Sequence, residues 1–240
     1  MPHMNIEAII LAGGKGTRLR SVTMNMIPKG LTPIQEKPIL LWELEWLARE
    51  GIRSAILATG HLSEEIEKAL GNQVETPYGT VDLQYSVEKE KLGSGGAVKL
   101  ASELVSAEKT LILNGDVLTN APLTPLFDLH KEKQVLATML GVNMVSPYGI
   151  IHHKDNLIIK YEEKPRLDVP IHGGVDLFET DVLSRFPTKG QMEETIFVEL
   201  VQERMFAFYL IPNDQFWMSI DTQKDFELAN KTWTGLGNIV

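Results

Sequence analysis

Glu7-Ala8-Ile9-Ile10-Leu11-Ala12-Gly13-Gly14-Lys15-Gly16-Thr17-Arg18-Leu19-Arg20 decides the reading of this 240-residue chain, because a short apolar run passes directly into a glycine loop. Ala8 to Ala12 has the length and composition of a strand buried on both faces. Three glycines in four positions let the backbone bend tightly and bring its N–H groups against an anion, with no Cβ in the way and positive φ at little cost. Thr17 adds a hydroxyl donor, and Lys15, Arg18 and Arg20 surround the loop with positive charge. The ligand implied bears phosphate. A dinucleotide fingerprint needs GxGxxG opening a helix with an acidic residue about 20 positions on, and a P-loop needs GxxxxGK before Ser or Thr. Neither fits. A plain glycine turn is the alternative, and the three flanking cations weigh against it.

Outside the loop the chain is acidic, with 23 Lys and Arg against 32 Asp and Glu and a formal charge of −9. That balance excludes a general nucleic-acid or anionic-membrane surface and makes local cations stand out. Cysteine is absent, which excludes disulfides, thiolate catalysis and Cys-based metal sites and agrees with a cytoplasmic location. The apolar runs are too short to span a bilayer. Met1-Pro2-His3-Met4 reads as vector residue, and residues 5–240 as one domain.

Apolar strand-like runs then alternate with amphipathic helices, which predicts an α/β fold: a Rossmann-like, mainly parallel sheet flanked by helices. Pro38 can open a helix that Gly51 closes, with Leu40, Leu44 and Leu47 on one face. Ser54 to Thr59 reads as a strand, and Ser63 with Glu64 and Glu65 as the N-cap and first turn of a helix to Leu70. Val81 to Val87 is a strand, Gly95 or Gly96 opens a helix, and Thr110 to Leu113 is a buried strand ending at Asn114-Gly115-Asp116. Beyond Lys133 the pattern is richer in strands: Val135 to Val142, Tyr148 to His152, Leu157 to Tyr161 and Gly174 to Phe178. A helix from about Met192 to Met205, a strand Ala207 to Ile211 and a helix beginning near Thr222 complete the reading.

In open α/β sheets ligands gather at the carboxyl ends of strands. Asp116 emerges there, either to meet a hard divalent cation or only to cap amides of an Asn-Gly-Asp turn. Glu88 can accept from two adjacent donors, which matches the N1–H and N2–H₂ edge of guanine, or it is one charge of a solvated Glu-Lys run. Asp221 neighbours a capping box formed by Thr222 and Asp225.

LAGGKGTRLR, followed by Pro28-Lys29-Gly30-Leu31-Thr32-Pro33, resembles the LAGGxGTRLx…PKxxxP signature of the sugar-1-phosphate nucleotidyltransferases, with Gly30 where many members carry proline. The resemblance covers Ile6 to about Trp233 and implies a nucleotide-diphospho-sugar transferase fold with a smaller strand-rich sugar-binding elaboration. It implies catalytic roles for Arg18, Lys29 and Lys164 and nucleotide contacts from Leu11, Ala12, Gly13, Gly14, Gly16, Thr17, Glu88 and Gly93. Glu162-Glu163-Lys164-Pro165 resembles the family's EEKP, whose lysine holds the sugar phosphate. Tyr148, Gly149, Glu163 and Gly174 join Lys164 as implied sugar contacts, and His172 stands where the family's NGG has Asn. Mg²⁺ is implied at Asp116 and Asp221, although the usual W-x-D-x-G-T pattern would place the second carboxylate at Ser219. Phe216-Trp217-Met218-Ser219-Ile220-Asp221-Thr222 is instead similar to glucose-1-phosphate cytidylyltransferases, whereas residues 87–97 resemble mannose or heptose guanylyltransferases. The implied partners are an NTP and a sugar 1-phosphate, with no nucleic acid and no membrane, and any homo-oligomer must form through this core. The implied reaction yields an NDP-sugar and pyrophosphate, most simply from GTP with mannose or heptose 1-phosphate. The departures at Gly30, His172 and Ser219 keep open a non-catalytic sugar-nucleotide-binding regulator.

Overall fold

Ile6–Leu11 forms β1, a buried strand near the middle of an eight-stranded sheet. The structure is a computed structural model that describes residues 5–14, 16–24 and 26–237, with the side chains of Arg20 and Ser21 outside the description. The predicted vector residues, Lys15 and the Arg20 charge therefore lie outside the described residues. After β1 come α1 (Arg20–Thr23), the short antiparallel pair β2 (Pro33–Ile34) and β3 (Lys37–Pro38), then α2 (Ile39–Arg49) and β4 (Ser54–Thr59). Next are α3 (Ser63–Leu70), β5 (Gln73–Thr76), β6 (Gly79–Val87) and α4 (Gly93–Ala101). The second half holds β7 (Lys109–Asn114), β8 (Val117–Thr119), α5 (Thr124–Lys133), β9 (Ala137–Val145), β10 (Ile150–Lys154), β11 (Leu157–Glu162) and β12 (Arg166–Glu179). It closes with α6 (Ile196–Glu203), β13 (Phe206–Leu210), β14 (Trp217–Ser219) and α7 (Gln223–Thr232).

The sheet order is β13-β9-β12-β7-β1-β4-β6-β5. β7, β1, β4 and β6 are mutually parallel, while β12 runs antiparallel to both β7 and β9. From β1 the chain crosses to β4 and β6 on one side and later to β7 on the other. The loops after β1 and β7 therefore open side by side at the carboxyl edge, the place where an open α/β sheet receives ligands. Side chains of period two divide the core between both faces. Ala8 and Ile10 pack with Leu40, Leu44 and Leu47 of α2, and Ile9 packs with Val98 of α4 and Leu200 of α6.

The predicted α/β class is the observed one, with differences that have local causes. Ser63 makes no capping hydrogen bond, because the boundary residue is Leu62 in a left-handed conformation. The expected helix from Met192 to Met205 is a 3-10 turn, Met192–Glu194, and then α6, separated by Thr195 at φ −123° and ψ −95°. Of the strands beyond Lys133, β9, β12 and β13 extend the main sheet, β10 and β11 form a separate hairpin, and β14 pairs with β8. At the last helix, Thr222 and Asp225 form the full reciprocal capping box.

Candidate active site

The loop after β1 enters a cavity of about 780 Å³ whose wall includes Gly13, Gly14, Thr17, Glu88, Asn114 and Asp116. Gly16 is the glycine of this loop that needs its freedom: φ is +55°, and the Lys29 Cβ would lie 3.2 Å from a Cβ placed there. The stem of Lys29 thus packs directly on the loop. Leu19, fully buried, anchors the 3-10 turn Thr17–Leu19 and leaves the Arg18 side chain 74% exposed toward Asp221.

Asp116 and Asp221 come together through strand pairing. β14 pairs with β8, setting Ser219 opposite Val117, and the Ile220 amide donates to the Asp116 carbonyl at 2.9 Å. Both carboxylates then meet one cation. The Lys29 ammonium lies 2.5 Å from Asp116 Oδ2 and 3.0 Å from Asp221 Oδ1, with Arg18 3.5 Å from Asp221. Burial raises the Asp116 carboxyl above its ordinary range although Lys29 opposes it. Burial acts the same way on Asp221, but Lys29, the Ser219 hydroxyl and Arg18 outweigh it and hold that carboxyl low. Ser219 Oγ donates to Asp221 Oδ2 at 3.0 Å, so the residue at the expected carboxylate position orients a carboxylate two residues later.

Two converging carboxylates with no softer donor are a suitable set for a hard divalent cation, and they already share one positive charge. Among the described residues no group of three or more His, Cys, Asp or Glu could hold a metal.

At the other end of the cavity Glu88 follows β6. Its Oε1 lies 3.1 Å from a Cβ built on Gly13 and 2.8 Å from one on Gly60, and its Oε2 accepts from the Leu92 amide at 3.1 Å. It therefore lines the cavity, half-buried and tied to the Leu92 amide. Gly93 also lines the cavity, at φ +81°. Gln191, missed in the sequence, lines the wall while accepting from the amide and hydroxyl of Ser94 at 3.1 and 3.0 Å, which ties down the start of α4. Its contact joins residues 97 apart in sequence and left no local signal.

One departure from the family pattern, Gly30, gains a physical cause. Gly30 is buried against Leu40, whose Cγ would lie 2.6 Å from a Cβ, so its small size serves packing. Gly149 faces the Tyr161 hydroxyl, which would meet a Cβ placed there, and that phenol donates to Glu163 at 2.6 Å. Tyr148 is exposed, and Tyr148, Gly149, Glu163 and Lys164 border the β10–β11 hairpin, away from the cavity wall. Lys164 has φ +45° directly before Pro165, a costly combination for a non-glycine residue. Gly174 packs on Asn114, whose Nδ2 would be 2.9 Å from a Cβ.

Glu43 of α2 is 4% exposed and accepts from the Val117 amide at 3.1 Å, while its Oε2 has no partner among the described residues. Burial, then Asp116, raises its carboxyl well above the usual range. A raised carboxyl favours the folded state at low pH and opposes it increasingly as pH climbs past the unfolded value. Glu43→Gln keeps the acceptor for Val117 and removes the ionisation. It should stabilise the protein at pH 7 by about 1 kcal/mol, raising the melting temperature by about 2–4 °C, with the gain vanishing near pH 4. A melting curve unchanged at pH 7 would count against a neutral Glu43.

The nucleotidyl transferase family model matches residues 7–234. Mannose-1-phosphate guanylyltransferase catalytic subunit beta of Drosophila melanogaster is 37% identical over 230 residues, covering 92% of this chain and 60% of that protein. This chain thus spans about 60% of the length of that relative. D-glycero-alpha-D-manno-heptose 1-phosphate guanylyltransferase of Aneurinibacillus thermoaerophilus is 34% identical over 235 residues, covering 94% of this chain and 97% of that protein. HddC from Yersinia pseudotuberculosis, solved with GMP-PN, shares the fold with a TM-score of 0.71 at 23% identity, covering 94% of this chain and 98% of that one. By its sequence over residues 7–234 and by its fold, this chain belongs to the nucleotidyl transferase family.

Proposed function

We propose that residues 5–240 form one catalytic unit that joins GTP and mannose or heptose 1-phosphate into a GDP-sugar, releasing pyrophosphate. The observation that carries the nucleotide choice is the Glu88 carboxylate, which lines the cavity against Gly13 and Gly60. A carboxylate there accepts from the paired N1–H and N2–H₂ donors of guanine. The names of the guanylyltransferase relatives support the same reading.

The reaction needs no covalent enzyme intermediate. A sugar-phosphate oxygen attacks the α-phosphorus in line, and the bond to the bridging oxygen of the β-phosphate breaks. The protein's work is alignment, relief of repulsion between two polyanions, and stabilisation of the leaving pyrophosphate. In this reading the loop from Leu11 to Thr17 cradles the nucleotide and Lys29 meets its phosphates. Arg18 meets the leaving phosphates, and Lys164 holds the sugar phosphate. Asp116 and Asp221 would hold Mg²⁺ together with substrate phosphates, and the ion would neutralise charge on the triphosphate.

A second reading, a glucose-1-phosphate cytidylyltransferase, is favoured by the Ser219–Asp221 hydrogen bond, since it makes Asp221 the working carboxylate of the FWxxxDT segment. Pyrophosphate release with Mg²⁺, crossing the common NTPs with glucose, mannose and heptose 1-phosphates, decides between them. GTP with mannose or heptose 1-phosphate is the expected pair. CTP with glucose 1-phosphate would select the second reading, and nucleotide binding without release from any pair would make the chain a regulator.

A further inference from the structure

Gln191 lines the cavity, yet the reaction as described gives it no task. Its amide has one orientation. The Ser94 backbone N–H can only donate, so the atom facing it at 3.1 Å is the oxygen Oε1, with the Ser94 hydroxyl 3.0 Å from the same oxygen. That hydroxyl is held in turn by the Met192 amide at 2.9 Å, and Glu193 Oε2 lies 2.8 Å from it. Nε2, which carries the N–H donors of the side chain, makes no hydrogen bond among the described residues.

The backbone places this amide at the Glu88 end of the cavity. Glu88 Oε2 accepts from the Leu92 amide at 3.1 Å, and the Leu92 carbonyl accepts from the Gly190 amide at 2.8 Å. One residue, Leu92, thus stands between the Glu88 carboxylate and the Gly190-Gln191 step. The Gly190 carbonyl accepts from the Gly95 amide at 3.0 Å, which knits the same segment to α4. An acceptor and a donor, separately held, therefore border one end of one cavity. Guanine presents the matching set: N1–H and N2–H₂ donate and O6 beside them accepts, whereas adenine carries a donor at position 6. A free glutamine amide serves either purine, because it both donates and accepts. Here Ser94 occupies the oxygen, and only the donors remain. We propose that Gln191 reads guanine, its Nε2 donating to O6 while Glu88 accepts from N1–H and N2–H₂. The inference rests on the guanylyltransferase reading above and adds to it a second group that rejects adenine, since Nε2–H against a 6-amino group sets donor against donor.

Equilibrium binding of nucleotides to the full chain, with Mg²⁺ and no sugar phosphate, tests the contact without turnover. Gln191→Glu keeps an oxygen for Ser94 and replaces the donor by an acceptor. The preference for GTP over ATP should fall about a hundredfold, with about tenfold from the lost bond to O6 and about tenfold from a new bond with the 6-amino group. Repulsion between the added charge and the triphosphate acts on both nucleotides alike and cancels in the ratio. An unchanged ratio overturns the inference. Gln191→Met removes the donor without adding charge. GTP and ITP share O6, so each should bind about tenfold more weakly while ATP binds no more weakly than before. Equal loss for all three would mean that Gln191 only ties down the start of α4. The parent protein tests the reading by itself: no preference for GTP over ATP would remove both the guanylyltransferase reading and this inference, whereas a preference that both variants retain removes the inference alone.

Discussion

Asp116→Asn should lower pyrophosphate release by about three orders of magnitude, which is about 4 kcal/mol of transition-state stabilisation. The argument starts from the position of the carboxylate: 24% exposed, at the end of a buried strand, and held by a lysine that is itself 14% exposed. Charge placed in such a poorly hydrated site acts more strongly on developing phosphate charge than it would in water. Asn keeps the shape and loses the charge, so Asp221 is left to hold a cation with Lys29 as a close competitor. Stability should move the other way. Burial raises the Asp116 carboxyl, so its ionisation opposes folding as pH rises, and the variant's melting temperature at pH 7 should be unchanged or slightly higher. Turnover within tenfold of the parent protein at saturating Mg²⁺ would remove Asp116 from the metal role.

Local chemistry explains which parts of this arrangement could be read without a structure. β1, β4 and β7 are short apolar runs that only a sheet covered on both faces can bury, and the glycine loop follows one of them directly. The Thr222 and Asp225 cap is legible for the same reason, since both members lie within one helical turn. Lys29 is different. Its partners are 87 and 192 residues away, and nothing near Pro28 signals that its ammonium ends between two carboxylates. The clasp of Gln191 on Ser94 is equally non-local. Ser63 misleads because a good capping residue is followed by acidic residues, yet the chain enters α3 through a left-handed Leu62 and leaves the hydroxyl unused.

Two carboxylates and two cations meet in a chain that carries Ser219 at the slot where the family pattern would place an acidic residue. Moving the acidic side chain two residues along β14 and into the turn before α7 would normally aim it elsewhere. Here the Ser219 hydroxyl, the Ile220 amide and the α7 cap fix that turn, and Asp221 Oδ1 still reaches the Lys29 ammonium. Asp116 and Asp221 therefore meet the same ammonium. For the same reason Asp221, not Ser219, is the residue to pair with Asp116 in any variant series.

Arg18→Ala should cut turnover by about a thousandfold or more, the scale on which a single arginine at a leaving phosphate acts in phosphoryl transfer. The melting temperature should stay within about 1 °C, because the side chain is 74% exposed and its 3.5 Å contact with Asp221 is a solvent-screened pair. That separation makes Arg18 a cleaner probe than Lys29, whose buried stem packs on Gly16 and whose loss would leave two carboxylates facing each other. Arg18→Lys refines the test. Lysine restores the charge but lacks the planar fork that grips two phosphate oxygens at once, so recovery should stay below about a tenth of the parent rate. Full recovery with Lys would mean that only charge is needed there. A normal rate with Ala would mean that the exposed guanidinium serves Asp221 alone and that the leaving pyrophosphate is stabilised by the loop amides and Lys29.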